Sequence, residues 1–144
     1  MKRMRVFLDS DVVISSMMSK EGASRILTSG NGLFLPVISD FSLQEIMKVS
    51  ERLHISKSIF EQVINSIKVI KTNHSLENFK KEFSKYVLDI NDVHIIGSAV
   101  NLNVGFLITF NLKHYKQEDI KADLKIITIT PGSFLQYIRG VKQG

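Results

Sequence analysis

The chain contains no cysteine, and that single absence removes disulfide frameworks, thiolate zinc sites and cysteine nucleophiles together. Only two prolines occur, Pro36 and Pro131, and no Pro- or Gly-rich linker, internal repeat or low-complexity tract interrupts the sequence. No stretch approaches the roughly 20 apolar residues needed to span a bilayer. The opening Met1-Lys2-Arg3-Met4-Arg5 imitates the basic start of a signal peptide. The apolar run behind it is only Val6-Phe7-Leu8 before Asp9, short of the ~7–15 residues of an h-region. The chain therefore reads as cytoplasmic, without membrane attachment.

What is present describes an ordinary folded domain. At 144 residues, 44% apolar and 23% charged, residues 1–144 read as one unit able to bury a sizeable core. The net charge of +5 points to a polyanionic partner, either nucleic acid or an acidic protein. That hint gains force if the acidic residues gather in one place and leave the remaining surface more positive.

Apolar runs mark four strands: Arg5 to Leu8, Leu33 to Ile38 after the turn-like Ser29-Gly30-Asn31-Gly32, Phe106 to Thr109, and Lys125 to Thr130. The last is β-branched almost throughout, which suits a buried strand. Helical spacing links Leu43, Ile46, Met47, Ser50 and Leu53 behind the cap candidates Ser39 and Asp40. Ile59, Val63, Ile64 and Ile67 form a second stripe. A short helix is expected over Val12 to Met18, another from about Asn91 to Leu102, and a closing one from Pro131 to Arg139. Strands alternating with helices predict an α/β fold, a three-layer α/β/α sandwich around a mostly parallel central sheet. Ligands of such sheets bind beyond the carboxyl ends of the strands, which singles out Asp9 and the segment after Thr109.

Acidic residues cluster at those ends. Asp9-Ser10-Asp11 closes the first strand, and oxygen ligands of this kind suit Mg²⁺, which keeps several waters and needs one or two carboxylates. Ser10 and Asp11 serve equally as caps for the helix that follows. Asp9 is different, because a charge closing a buried strand requires a partner. Glu45 sits away from the apolar stripe of its helix and, on local evidence, is a solvated residue. Asp92 shares a face with Ile95, Ile96 and Ala99, so its charge turns inward; it also suits a helix N-terminus, with Asp89 as the cap. Asn111, after Thr109-Phe110, can offer an amide oxygen to a metal-bound water or simply make a turn. His94, His114 and Tyr115 are candidates for phosphate contacts, whereas His54 and His74 have no supporting context.

Taken in order, these segments resemble the PIN-domain family across nearly the whole chain. Val6-Phe7-Leu8-Asp9-Ser10-Asp11 resembles its apolar strand followed by Asp-Thr/Ser-Asn. Ser39 through Glu45-Ile46 is similar to its second motif, and Asp89-Ile90-Asn91-Asp92-Val93-His94-Ile95-Ile96-Gly97-Ser98-Ala99 resembles Asp-x-x-Asp ahead of an apolar helix. Leu107 to Tyr115 looks like its strand, Thr-x-Asn/Asp, a basic residue, then His or Asp before an aromatic. Ile129-Thr130-Pro131-Gly132-Ser133-Phe134-Leu135 resembles its common ending. The resemblance implies a metal-dependent ribonuclease, in many members a VapC-type toxin neutralised by a small antitoxin and often a homodimer. It implies Asp9, Glu45 and Asp92 as the acids holding Mg²⁺ or Mn²⁺, with Asn111 or Asp89 at a variable fourth position. Ser10, Asp11, Thr109, Lys113 and His114 would assist, and hydrolysis would leave a 5′-phosphate. Two departures stand out: Asp11 where Asn is usual, and Asn111 where many active members carry Asp.

Two alternatives follow from the same residues. Asp9-Ser10-Asp11-Val12-Val13 also resembles the haloacid-dehalogenase signature, in which Asp9 would be a phosphatase nucleophile and Asp11 its acid/base. The two departures alternatively fit a PIN-like domain that only binds RNA or a protein.

Overall fold

The computed structural model describes residues 3–143; the basic start at Met1 and Lys2 and the final Gly144 lie outside them. The four apolar runs become strands β1 (Met4–Leu8), β2 (Phe34–Ser39), β4 (Phe106–Ile108) and β5 (Ile127–Ile129), and a further short strand, β3 (Lys68–Ile70), is marked by no such run. All pair in parallel, in the order β3-β2-β1-β4-β5. Parallel strands need long crossovers, and those crossovers carry the helices α1 (Ser10–Met18), α2 (Ala23–Ser29), α3 (Asp40–Arg52), α4 (Lys57–Asn65), α5 (Leu76–Phe83), α6 (Val93–Asn101) and α7 (Gln117–Leu124), while α8 (Pro131–Gln143) follows the last strand.

Strand side chains alternate between two cores, giving the expected three layers. Val6, Leu8, Ile38, Phe106 and Ile108 face one side with Val12, Val13, Met17, Leu27, Ile46, Val63 and Phe134. Phe7, Val37 and Leu107 face the other with Phe79, Phe83, Tyr86, Val93, Ile96 and Ile120. Because β1 is covered on both faces, Val6, Phe7 and Leu8 are all fully buried, and an unbroken apolar run is what such a strand requires. Phe34 and Phe106 meet Phe134 edge-on at 5.3 and 5.1 Å between centroids, which seats α8 against the sheet.

Several sequence expectations shift. The first helix starts at Ser10 instead of Val12, because the Asp9 carboxylate accepts the Ser10 amide and caps it. Thr109 lies just past β4. The segment expected as one helix from Asn91 is a 3₁₀ turn, Ile90–Asp92, feeding α6. Ile67 is buried, yet it follows α4 instead of belonging to it. Pro131 does open α8, which runs past Arg139 to Gln143. The β-branched run at 125–130, expected as one buried strand, is only partly so: Ile126 is buried ahead of the strand. β5 is an edge of three residues with Ile127 41% exposed, and Lys125 ends α7 in a left-handed conformation, φ 60°.

α5 and α6 pack through Gly97, where an added Cβ would fall among the ring carbons of the buried Phe79. Gly97→Ala is expected to destabilise the protein by about 1–3 kcal/mol, the usual cost of overpacking, measurable as a lowered denaturant midpoint at unchanged m-value.

Candidate active site

Register places the first acid. Leu8 pairs with Ile108 and Ile108 with Ile129, so Asp9 and Thr109 leave the sheet side by side. The Asp9 amide donates to the Ile108 carbonyl at 2.9 Å and the Thr109 amide to that of Ile129 at 3.0 Å. The chain winds outward from β1 in one direction and from β4 in the other. Asp9 and Thr109 therefore flank the crevice where the strand order reverses, the usual ligand position in open parallel sheets.

The Asp9 carboxylate is held from three segments. Oδ1 accepts the Ser10 amide at 2.7 Å, while Oδ2 accepts the Tyr115 hydroxyl at 2.7 Å and lies 2.9 Å from Thr109 Oγ1. Tyr115 is only 4% exposed, and burial beside Asp9 pushes its phenol well above the ordinary range, so it stays a neutral donor. That corrects the expectation of a phosphate contact: Tyr115 holds Asp9. An antiparallel bridge between Val87 and Tyr115 ties this residue to the segment leading into Asp89 and Asp92.

Asp11 has turned toward the loop after β4. Its Oδ2 accepts the Phe110 amide at 3.0 Å and Asn111 Nδ2 at 3.0 Å, with Thr109 Oγ1 at 3.3 Å, while Oδ1 is buried without a partner. Burial and then the Asp9 charge push its carboxyl up to about 6, against the amides of Phe110 and Val12 and the Thr109 hydroxyl. Asp11 and Asn111 thus face each other. Asn111 uses its amide group on Asp11.

Glu45 is not simply solvated. The Ser10 hydroxyl donates to its Oε1, and Oε2 lies 3.7 Å from Nε2 of the buried His94. His94, followed by Ser10, holds the Glu45 carboxyl below its usual range against the effect of burial. His94 therefore lies beneath Glu45 and is not exposed for phosphate. Asp92 lies in the 3₁₀ turn with its side chain 28% exposed, 3.8 Å from His114 Nδ1. Burial raises its carboxyl most, then Asp9; His114 opposes, and Asp89 and Glu45 add. Asp89 caps that turn, accepting the Asn91 amide at 2.9 Å. Lys113 is exposed on the neighbouring 3₁₀ turn.

Asp92 thus lies within electrostatic reach of both Asp9 and Glu45, and the three offer hard oxygen donors. Asp9 Oδ1 accepts one hydrogen bond, and a carboxylate oxygen has two lone pairs, so a ligand position remains. Among the described residues, however, no three acidic or histidine side chains close around a common point. The donor set fits a divalent cation that keeps most of its waters, with one or two carboxylates in contact.

Comparison of the fold finds chains of two solved complexes. One is VapBC2 from Rickettsia felis bound to a DNA fragment from their promoter, with TM-score 0.63, 16% identity, and 88% of this chain and 98% of that one covered. The other is VapBC-1 from nontypeable Haemophilus influenzae, also at TM-score 0.63 and 16% identity, covering 90% and 99%. The fold is the PIN-like α/β sandwich, with an all-parallel five-stranded sheet. No family model and no curated protein matches the sequence.

The Asp11–Asn111 pair yields two measurements. Asn111→Asp sets two carboxylates about 3 Å apart and is expected to cost about 1–3 kcal/mol at neutral pH; adding Asp11→Asn restores most of it, and a double variant no better than the single would refute the pairing. Because folding raises the Asp11 pKa, the native chain binds its proton more tightly than the unfolded chain between pH about 4 and 6. Stability from this group is therefore lost as pH rises through that window. The thermal midpoint of Asp11→Asn should gain on wild type between pH about 4 and 7.

Proposed function

We propose that the protein is a metal-dependent ribonuclease and the toxin of a toxin–antitoxin pair. The observation that carries the reading is the end of β1. Asp9 stands at the reversal of strand order with its carboxylate fixed from Ser10, Thr109 and Tyr115, and Asp92 lies within electrostatic reach of both Asp9 and Glu45. In this reading Asp9, Glu45 and Asp92 hold Mg²⁺ or Mn²⁺, and Asp89 or Asn111 stands at the variable position. A bound divalent ion supplies a water of lowered pKa and counter-charge for the phosphate oxygens.

The chain's own residues do the positioning. Tyr115 and Thr109 hold and aim the Asp9 carboxylate, Ser10 and His94 hold that of Glu45, and His114 stands beside Asp92. Lys113 offers a cation to the RNA backbone. The shared fold with chains of VapBC complexes supports a small protein antitoxin as partner, and a homodimer belongs to the same reading.

A haloacid-dehalogenase-like phosphatase would need Asp11 free to protonate a leaving group, but Asp11 is committed to residues 109–111 with Oδ1 buried. The binding-module alternative keeps one argument, that no three donors close on a point. Mn²⁺-dependent cleavage of structured and unstructured RNA separates the two. Asp9→Asn and Asp92→Asn are expected to lower turnover by more than about 100-fold, beyond the ~10–100-fold expected for the supporting residue in Tyr115→Phe. Glu45→Gln should fall strongly as well. Wild type and Asp9→Asn cleaving alike would sink the nuclease reading.

A further inference from the structure

Beside Glu45, on the side away from Asp11 and Asn111, a groove of about 330 Å³ opens between α3, the start of α5 and the Ile90–Asp92 turn. Its wall includes Glu45 and the polar Gln44, Asn91 and His94, and beside them apolar and cationic surface. Leu76 and Ile90 are 39% and 43% exposed and lie with the partly buried Phe41, giving an apolar face. Lys48 and Lys80 line the same groove, and among the described residues neither has a carboxylate within 4.0 Å. Lys48 is exposed and Lys80 half-buried, and two ammonium groups on one groove wall without a carboxylate partner favour an anionic ligand. The volume lies at the small end of the ~300–1,000 Å³ range of ligand pockets, enough for one small unit and too small for a folded element.

An apolar face, two unpaired ammonium groups and a position next to the acids together define the occupant. We infer that this groove is a subsite for one nucleotide of the RNA strand, the neighbour of the scissile phosphate. Its base lies against Leu76, Ile90 and Phe41, and its phosphate is held by Lys48 and Lys80. The arrangement answers an electrostatic problem in the nuclease reading, on which it rests. A crevice of carboxylates repels a polyanion, and cations displaced to its flank attract the strand without neutralising the acids. Lys48 is one helical turn from Glu45, so the same helix supplies an acid for the centre and a cation for the strand.

The test uses a fluorescein-labelled single-stranded oligoribonucleotide, bound to the Asp92→Asn protein so that no cleavage occurs. With Lys48→Ala and Lys80→Ala added, affinity is expected to fall at least about 10-fold at low salt, and the log–log salt slope to flatten by about 1.4, the value for two lost single-strand contacts. Arginine at both positions should preserve binding. In otherwise wild-type protein the loss from the alanine pair should fall on KM more than on kcat. Unchanged affinity and slope, with wild type still cleaving RNA, would overturn the subsite and leave the nuclease intact. Lysine-dependent binding without any cleavage by wild type would uphold the groove as a nucleotide site and overturn the nuclease reading. Equally tight, lysine-dependent binding of a poly-glutamate peptide would overturn it in favour of an acidic protein.

Discussion

A carboxylate at the end of a strand buried on both faces is stable only if donors surround it, and meeting that requirement for Asp9 organises much of the upper sheet edge. The Ser10 amide starts α1 by capping from the same carboxylate that the Tyr115 phenol and the Thr109 hydroxyl reach. Satisfying one charge thereby fixes the direction of a helix, the exit of β4 and the turn that carries Lys113 and His114. Hydrogen bonds to an ionised group are worth about 1.5–3 kcal/mol each, against ~0.5–1.5 for neutral pairs. Loss of the Asp9 charge would therefore release several segments together.

The remaining acids are arranged around that fixed one. Glu45 is favoured in its charged form by His94 and Ser10, whereas Asp92 and Asp11 are pushed toward protonation by burial and by Asp9. The centre is thus divided. Glu45 has partners that favour its anion, whereas Asp11 and Asp92 carry a repulsion that their neighbours only partly offset. In Asp11 that repulsion is partly absorbed by the amides of 110 and 111, so its role is to hold the loop after β4. In Asp92 it faces the crevice, where a cation or its hydration shell would relieve it.

Much of this was legible in the sequence because it follows from strict patterns. The run Val6-Phe7-Leu8 stopping at Asp9 gave both the central strand and its acid, and Ser39 proved to be the α3 cap through the Ser42 amide. The misses share a physical cause. Each of β3, α2, α5 and α7 is a short element of three to eight residues, whose stability comes from tertiary packing more than from its own pattern. Glu45 read as solvated because periodicity reports only which helix face is apolar. It cannot show that Ser10, 35 residues earlier, would reach it. Tyr115 gave a signal as an aromatic after His114, but its burial depends on the bridge to Val87, which no local window contains.

The two margins of the sheet, β3 and β5, are only three residues long. A margin that short exposes few free amides and carbonyls, so it is a poor template for strand addition by another chain. Self-association into extended sheets is discouraged for the same reason. Short margins therefore favour association through helix surfaces and loops, where side-chain identity sets the choice of companion, over backbone pairing that accepts almost any extended peptide.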